Sequence, residues 1–158
     1  IMSEFSITSS DFKEGEEIPK KFGYKSGNVT PTIEFHNIPT GGITMALIMD
    51  DPDAMGAVGK IWVHWLVCNY QDARAKIDDR SISLPSSVKG IQVEGKTDFG
   101  EIGYGGPAPP DGLHTYVFKG YTLDIILDLK EGYSKQDLEQ AMNGHILAEA
   151  KLTGTFTS

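Results

Sequence analysis

The chain has 158 residues, 14 lysines and arginines against 22 aspartates and glutamates (net charge −8), 39% hydrophobic residues, 18 glycines and 8 prolines. A chain of this length reads as one domain, 1–158, which can bury roughly 70% of its unfolded surface and needs no disulfide or metal staple. The acidic balance argues against a nucleic-acid backbone or an anionic membrane as the main partner, since both select a basic footprint, but leaves room for a local anion pocket.

Taken in order, the segments alternate far more often than they show helical periodicity. "EFSIT" (4–8) reads as a short strand, and "TPTIEFHNIP" holds another around Ile33 and Phe35 between Pro31 and Pro39. An apolar strand runs from Ile43 to Met49 and breaks at Asp51-Pro52. "KIWVHWLVCNY" follows, with Trp62, His64, Leu66, Cys68 and Tyr70 assigned to one face and Ile61, Val63, Trp65, Val67 and Asn69 to the other. Two apolar faces predict a central strand, and a hairpin with Ile43–Met49 would return it beside Asp51.

Residues 72–80 are weakly helical, and 81–104 suggest short strands separated by glycines. "HTYVFKGYTLDIILDL" predicts a long strand pair, with His114, Tyr116 and Phe118 sharing one face. "SKQDLEQAM" carries a helix signature, with Ser134 as N-cap, Asp137 three residues on and Gly144 as terminator. The tail "HILAEAKLTGTF" could continue as helix, although its final residues alternate as a strand. Together these elements predict a mainly β fold, an antiparallel β-sandwich with peripheral helix.

The single cysteine, Cys68, cannot form an internal disulfide, and no membrane span or signal peptide is visible. A cytoplasmic protein is the expectation. His36, His64, His114 and His145 form no ligand pair such as H-x-H, so neither a metal nor another cofactor is expected. There is no G-x-S-x-G elbow, and "GEIGYGGPAPPDG" lacks the spacing of a dinucleotide or phosphate loop.

What remains is a set of polar residues without a nucleophile. Asp50, Asp51 and Asp53 end the apolar strand, and turn chemistry alone would account for them. His64 on the next strand could equally be a core histidine. A carboxylate of the Asp51 loop could instead accept from its imidazole, fix the tautomer and raise its pKa. The loop Gly103–Gly112 combines backbone freedom with proline stiffness just before His114; it is a shaped binding loop or simply a long hairpin connection.

In order, "DPDA" (51–54), "WVHW" (62–65) and "GPAPPDGLHTYVF" (106–118) resemble the motifs of the phosphatidylethanolamine-binding protein family, in its bacterial and archaeal branch. "GNVTPTIEF" and "AMNGHILAEAKLTGTF" are similar to its ends, so the resemblance spans nearly the whole chain. It implies a β-sandwich around a large antiparallel sheet with one or two peripheral helices. It also implies a small pocket for phosphate, acetate or a phosphorylated headgroup.

Carried over by motif position, the lining would be Asp51, Asp53, Trp62, His64, Gly106, Pro107, Ala108, His114 and Tyr116. In that picture His64 and His114 face each other, Asp51 and Asp53 orient imidazole, and Trp62 forms an apolar wall. Met55 stands where the family usually has proline, and Thr115 where it usually has arginine.

The resemblance implies a non-enzymatic binding protein. The alternative it offers is a regulator that inhibits kinases or serine proteases through its surface. A hydrolase using His64 or His114 as general base is a third reading. Prokaryotic members are often homodimers, and the two-sided apolar strands are compatible with one.

Overall fold

The structure, a computed structural model, describes residues 4–71, 82–84 and 92–158. In chain order the elements are β1 (Ser6–Thr8), β2 (Ile33–His36), β3 (Thr44–Asp51), the short helix α1 (Ala54–Val58), β4 (Trp62–Tyr70), β5 (Ile82–Leu84), β6 (Val93–Glu94), β7 (Leu113–Leu123), the helix α2 (Lys135–Met142) and β8 (Ile146–Thr157). A three-stranded sheet has the order β1-β2-β5 and a five-stranded sheet the order β6-β4-β3-β7-β8, each neighbouring pair antiparallel. The weakly helical stretch 72–80 lies outside the described residues.

The five-stranded sheet is covered on both faces, which is why β3 and β4 read as nearly continuous apolar runs. Between the sheets, Ile33 and Phe35 pack with Leu47, Met49, Trp65, Val67, Tyr116 and Phe118. On the opposite face Ala46, Ile48, Val63, Leu66 and Cys68 pack beneath Leu138 and Met142 of α2. Among the described residues no helix is long and apolar enough to cross a membrane.

Strand β4 departs from the simple alternation expected of it. Met49 pairs with Trp65 and Asp50 with Val63, so one step on β3 spans two on β4 and His64 is an extra residue. A second slip separates the pairs Leu47–Val67 and Met45–Tyr70, where Asn69 adopts a left-handed φ of 57°. Trp65, Val67 and Tyr70 therefore share the inter-sheet face that strict alternation would have divided.

The strand pair expected after His114 is a single strand ending at Leu123. Beyond it the chain leaves the sheet, and the Asn69 side chain binds Leu127 at both backbone groups, each at 2.7 Å. The tail does not continue α2 as helix: β8 pairs with β7 from Leu113–Thr157 to Leu123–Ile146. Gly144, at φ 84°, makes the reversal.

The helix signature of α2 forms as a capping box. Ser134 Oγ accepts from Asp137 N–H at 3.0 Å, and Asp137 Oδ2 accepts from Ser134 N–H at 3.1 Å. Ser134→Ala is expected to lower stability by about 1 kcal/mol, read as a reduced urea midpoint. An unchanged midpoint would show that packing of Leu138 and Met142 alone holds the helix.

Candidate functional site

The site forms where β3 ends, β4 begins and β7 starts. The β3–β4 ladder sets Asp51 opposite Trp62, and the β3–β7 ladder sets Asp50 opposite Val117. At the turn, Asp53 N–H donates to Asp51 Oδ1 at 2.9 Å, and Asp53 Oδ2 accepts from Thr115 N–H at 2.8 Å. These bonds tie the Asp-Pro-Asp turn to β7 and launch α1. Asp50 is paired elsewhere, with Lys135 at 2.9 Å and Lys119 at 3.7 Å.

His114 is 3% exposed and has a carboxylate on each ring nitrogen. Asp51 Oδ2 lies 2.6 Å from Nδ1 and Asp111 Oδ1 lies 2.7 Å from Nε2. Burial is the largest single influence on its pKa and pushes it down, but the hydrogen bonds and charges of Asp51 and Asp111 together outweigh it and hold the value above 6.5. An acceptor on each nitrogen favours the ring with both protons, the imidazolium.

His64, 2% exposed, is its electrostatic opposite. Its Nδ1 lies 2.7 Å from the Gly105 carbonyl, which can only accept, so the proton is on Nδ1. Gly105 N–H returns a bond to the His64 carbonyl at 2.8 Å. Burial lowers its pKa below 6.5, and the Gly105 carbonyl offsets only part of that. The neutral ring is left with a lone pair on Nε2.

Tyr116 stands between the two rings, its centroid 5.1 Å from that of His64 and 6.4 Å from that of His114. Its hydroxyl is buried near Asp51 and the Ala108 backbone without a well-formed hydrogen bond to either. Burial, reinforced by the Asp51 charge, raises its pKa, so it stays a phenol and a donor. The Trp62 indole N–H is likewise buried without a partner among the described residues.

In front of these groups lies a pocket of about 210 Å³. Asp51, Trp62, His64 and Ala108, all expected from the sequence, line it together with Ala54, Ala57, Val58, Phe99 and Pro110. Its surface is mostly apolar, with Asp51 and His64 as the charged or polar exceptions. His114 and Tyr116 do not line it themselves but lie against Asp51, which does.

Three expectations need correction. Asp51 pairs with His114, not with His64, because the extra residue in β4 turns the His64 Nδ1 to the Gly105 carbonyl. Asp53 orients no imidazole; its carboxylate is used on Thr115 N–H. Gly106 and Pro107 do not line the pocket beside His64. Gly106 N–H donates to Asn28 Oδ1 at 2.7 Å, and the Pro107 carbonyl accepts from Tyr24 N–H at 2.9 Å. Since residues 107, 109 and 110 are prolines, Ala108 carries the remaining N–H of the stretch 106–110.

Several site residues went unnoticed in the sequence. Phe99 stacks on Tyr24 with centroids 3.9 Å apart and meets both Trp62 and His64 edge-on. Asn28 clamps the loop, also donating to the Tyr104 carbonyl at 3.1 Å. The pair Gly27-Asn28, both at positive φ, was the available signal for a tight turn. Asp111 carried no signal beyond its place three residues before His114.

Comparison with known proteins agrees with this fold. A family model for phosphatidylethanolamine-binding proteins matches residues 8–157. A UPF0098 protein of Chlamydia muridarum is 38% identical over 95% of this chain and 97% of its own length. One from Methanothermobacter thermautotrophicus is 37% identical over 96% and 97%. Among solved structures, CT736 of Chlamydia trachomatis, described as a homologue of phosphatidylethanolamine-binding protein, superposes with a TM-score of 0.84 at 35% identity, covering 98% of this chain and 97% of that one. YbcL of Escherichia coli, described as a new member of the mammalian family, gives a TM-score of 0.83 at 28% identity, with 98% of each chain covered.

Proposed function

Because the chain belongs to the phosphatidylethanolamine-binding protein family, we propose that its pocket binds the oxyanion end of a small phosphorylated ligand without transforming it. The observation that carries this reading is the pair of buried imidazoles flanking the orphan Tyr116 hydroxyl behind the pocket. An orphan buried donor is rare in folded proteins and is relieved by a ligand that accepts.

The donor and acceptor set fits hydrogen phosphate or a phosphate monoester. The Tyr116 hydroxyl and the Trp62 indole supply unpartnered donors to phosphoryl oxygens, and the His114 imidazolium, its nitrogens already bonded to Asp51 and Asp111, supplies positive charge. Neutral His64 supplies an acceptor for a phosphate O–H, which acetate lacks in its ionised form. The apolar walls from Ala54, Val58 and Phe99 exclude water and strengthen each bond. A chemical step finds no support in the lining, which among the described residues holds neither a hydroxyl nor a thiol nucleophile; Cys68 is buried in the opposite core.

Titration calorimetry with inorganic phosphate, phosphoethanolamine and acetate tests the reading. Both phosphates are expected to bind more tightly than acetate, and Tyr116→Phe, which removes only the hydroxyl, to weaken them about tenfold. The reading is overturned if none of the three binds at millimolar concentration, with or without the Asp111 carboxylate. Undiminished binding in both Tyr116→Phe and His64→Gln would equally place the ligand elsewhere.

A further inference from the structure

We propose that Asp111 is a tethered internal ligand of His114, holding the position an incoming oxyanion must take and so setting which anions enter. This rests on the pocket reading above. His114 is buried, and its Nδ1 is committed to Asp51, itself 3% exposed and bound on its other oxygen by Asp53 N–H. Nε2 is therefore the ring's one exchangeable donor, and the Asp111 carboxylate occupies it at 2.7 Å.

The two carboxylates on this ring differ in kind. Asp51 is enclosed and cannot leave without exposing a buried charge. The Asp111 side chain is 61% exposed, so rotation about its own χ angles carries it into water with the backbone unmoved. That backbone is pinned on both sides. Pro109 and Pro110 precede it, and Gly112, at φ 90°, exchanges hydrogen bonds with Ser158 through its N–H at 2.9 Å and its carbonyl at 3.1 Å. The turn thus presents one carboxylate to one imidazolium at a high effective concentration, and release needs only a side-chain rotation.

The consequence is an exchange of oxyanions. A ligand that displaces Asp111 meets the same imidazolium and adds no uncompensated negative charge at Nε2. A ligand that leaves Asp111 in place meets two carboxylates against one cation and is repelled. Neutral ligands gain nothing from the exchange, so Asp111 raises the threshold for any molecule lacking a strong oxyanion.

Calorimetry of the full chain with inorganic phosphate and, separately, phosphoethanolamine tests this in wild type, Asp111→Asn and Asp111→Ala. Phosphate affinity is expected to rise about tenfold in Asp111→Ala and by less in Asp111→Asn, whose amide oxygen still accepts from Nε2. A larger gain for phosphoethanolamine than for phosphate would point to a headgroup as the source of the anion; equal gains point to free phosphate.

The NMR titration midpoint of His114 is expected to fall in both variants, as loss of any paired carboxylate requires. The readout that a purely structural contact would not move is the Asp111 carboxyl resonance, expected to shift as phosphate is titrated into wild type. Binding in wild type with unchanged or weaker affinity in both variants overturns the role of Asp111 and leaves the pocket reading standing. No binding in any of the three proteins overturns both.

Discussion

Gly106→Ala is expected to lose more than about 3 kcal/mol of stability, a loss large enough to leave the chain mostly unfolded at moderate denaturant. A Cβ at this position would lie 2.0 Å from the Phe22 carbonyl oxygen, 2.9 Å from Tyr24 N and 3.0 Å from the Gly23 carbonyl carbon. All three are main-chain atoms, so no rotamer change relieves the clash. Moving the loop aside instead would break the Gly106–Asn28 and Tyr24–Pro107 hydrogen bonds that seat it. Urea denaturation checks this, with Gly56→Ala as the comparison. Nothing lies within 4 Å of a Cβ at Gly56, and a helical alanine there should be neutral or slightly stabilising. Equal midpoints for the two variants would mean that the loop is not pinned against residues 22–24.

Asp51→Ala is expected to cost about 3 kcal/mol, because it strips one partner from a buried ion pair and leaves the His114 cation half-compensated by Asp111. It also removes the acceptor of Asp53 N–H. The deficit has a pH signature. The raised pKa of His114 means that the contribution of its ion pair is fully present below the ordinary imidazole value of 6.5 and is lost as pH climbs through the higher folded value. The gap between wild type and Asp51→Ala should therefore be widest below pH 6.5 and narrow above it. The lowered pKa of His64 acts with the opposite sign, present above 6.5 and lost as pH falls, but in both proteins, so it largely cancels in the difference. Denaturation midpoints across this range check the sign, and a gap that widens with rising pH would show His114 to be neutral in the fold.

Much of this site could be read from residues alone, and the failures have identifiable causes. The alternation of His114, Tyr116 and Phe118 placed them on one buried face because β7 runs without interruption through them. The Ser134–Asp137 cap was legible because its chemistry is local. The motifs around Asp51, Trp62 and His114 named side chains that the fold brings together.

They could not say which imidazole Asp51 meets, since β4 and β7 both flank β3. That choice is made by an extra residue which side-chain alternation does not reveal. Helix α1 escaped notice because five residues, two of them Gly56 and the β-branched Val58, are too few to show a period. Gly106 was taken for a residue facing the ligand, when its missing side chain instead admits the backbone of residues 22–24. The Asp111–His114 contact depends on the path of a turn, and no periodicity encodes it.

The insertion that carries His64 separates scaffold from chemistry. Loss of that single codon would leave Val63 and Trp65 adjacent and each still opposite its present partner, Asp50 and Met49. The ladder would become regular while the imidazole vanished. A lineage could in this way retire the pocket and keep the sandwich, so relatives that share the architecture need not share the ligand, and counting residues between the tryptophans would tell them apart.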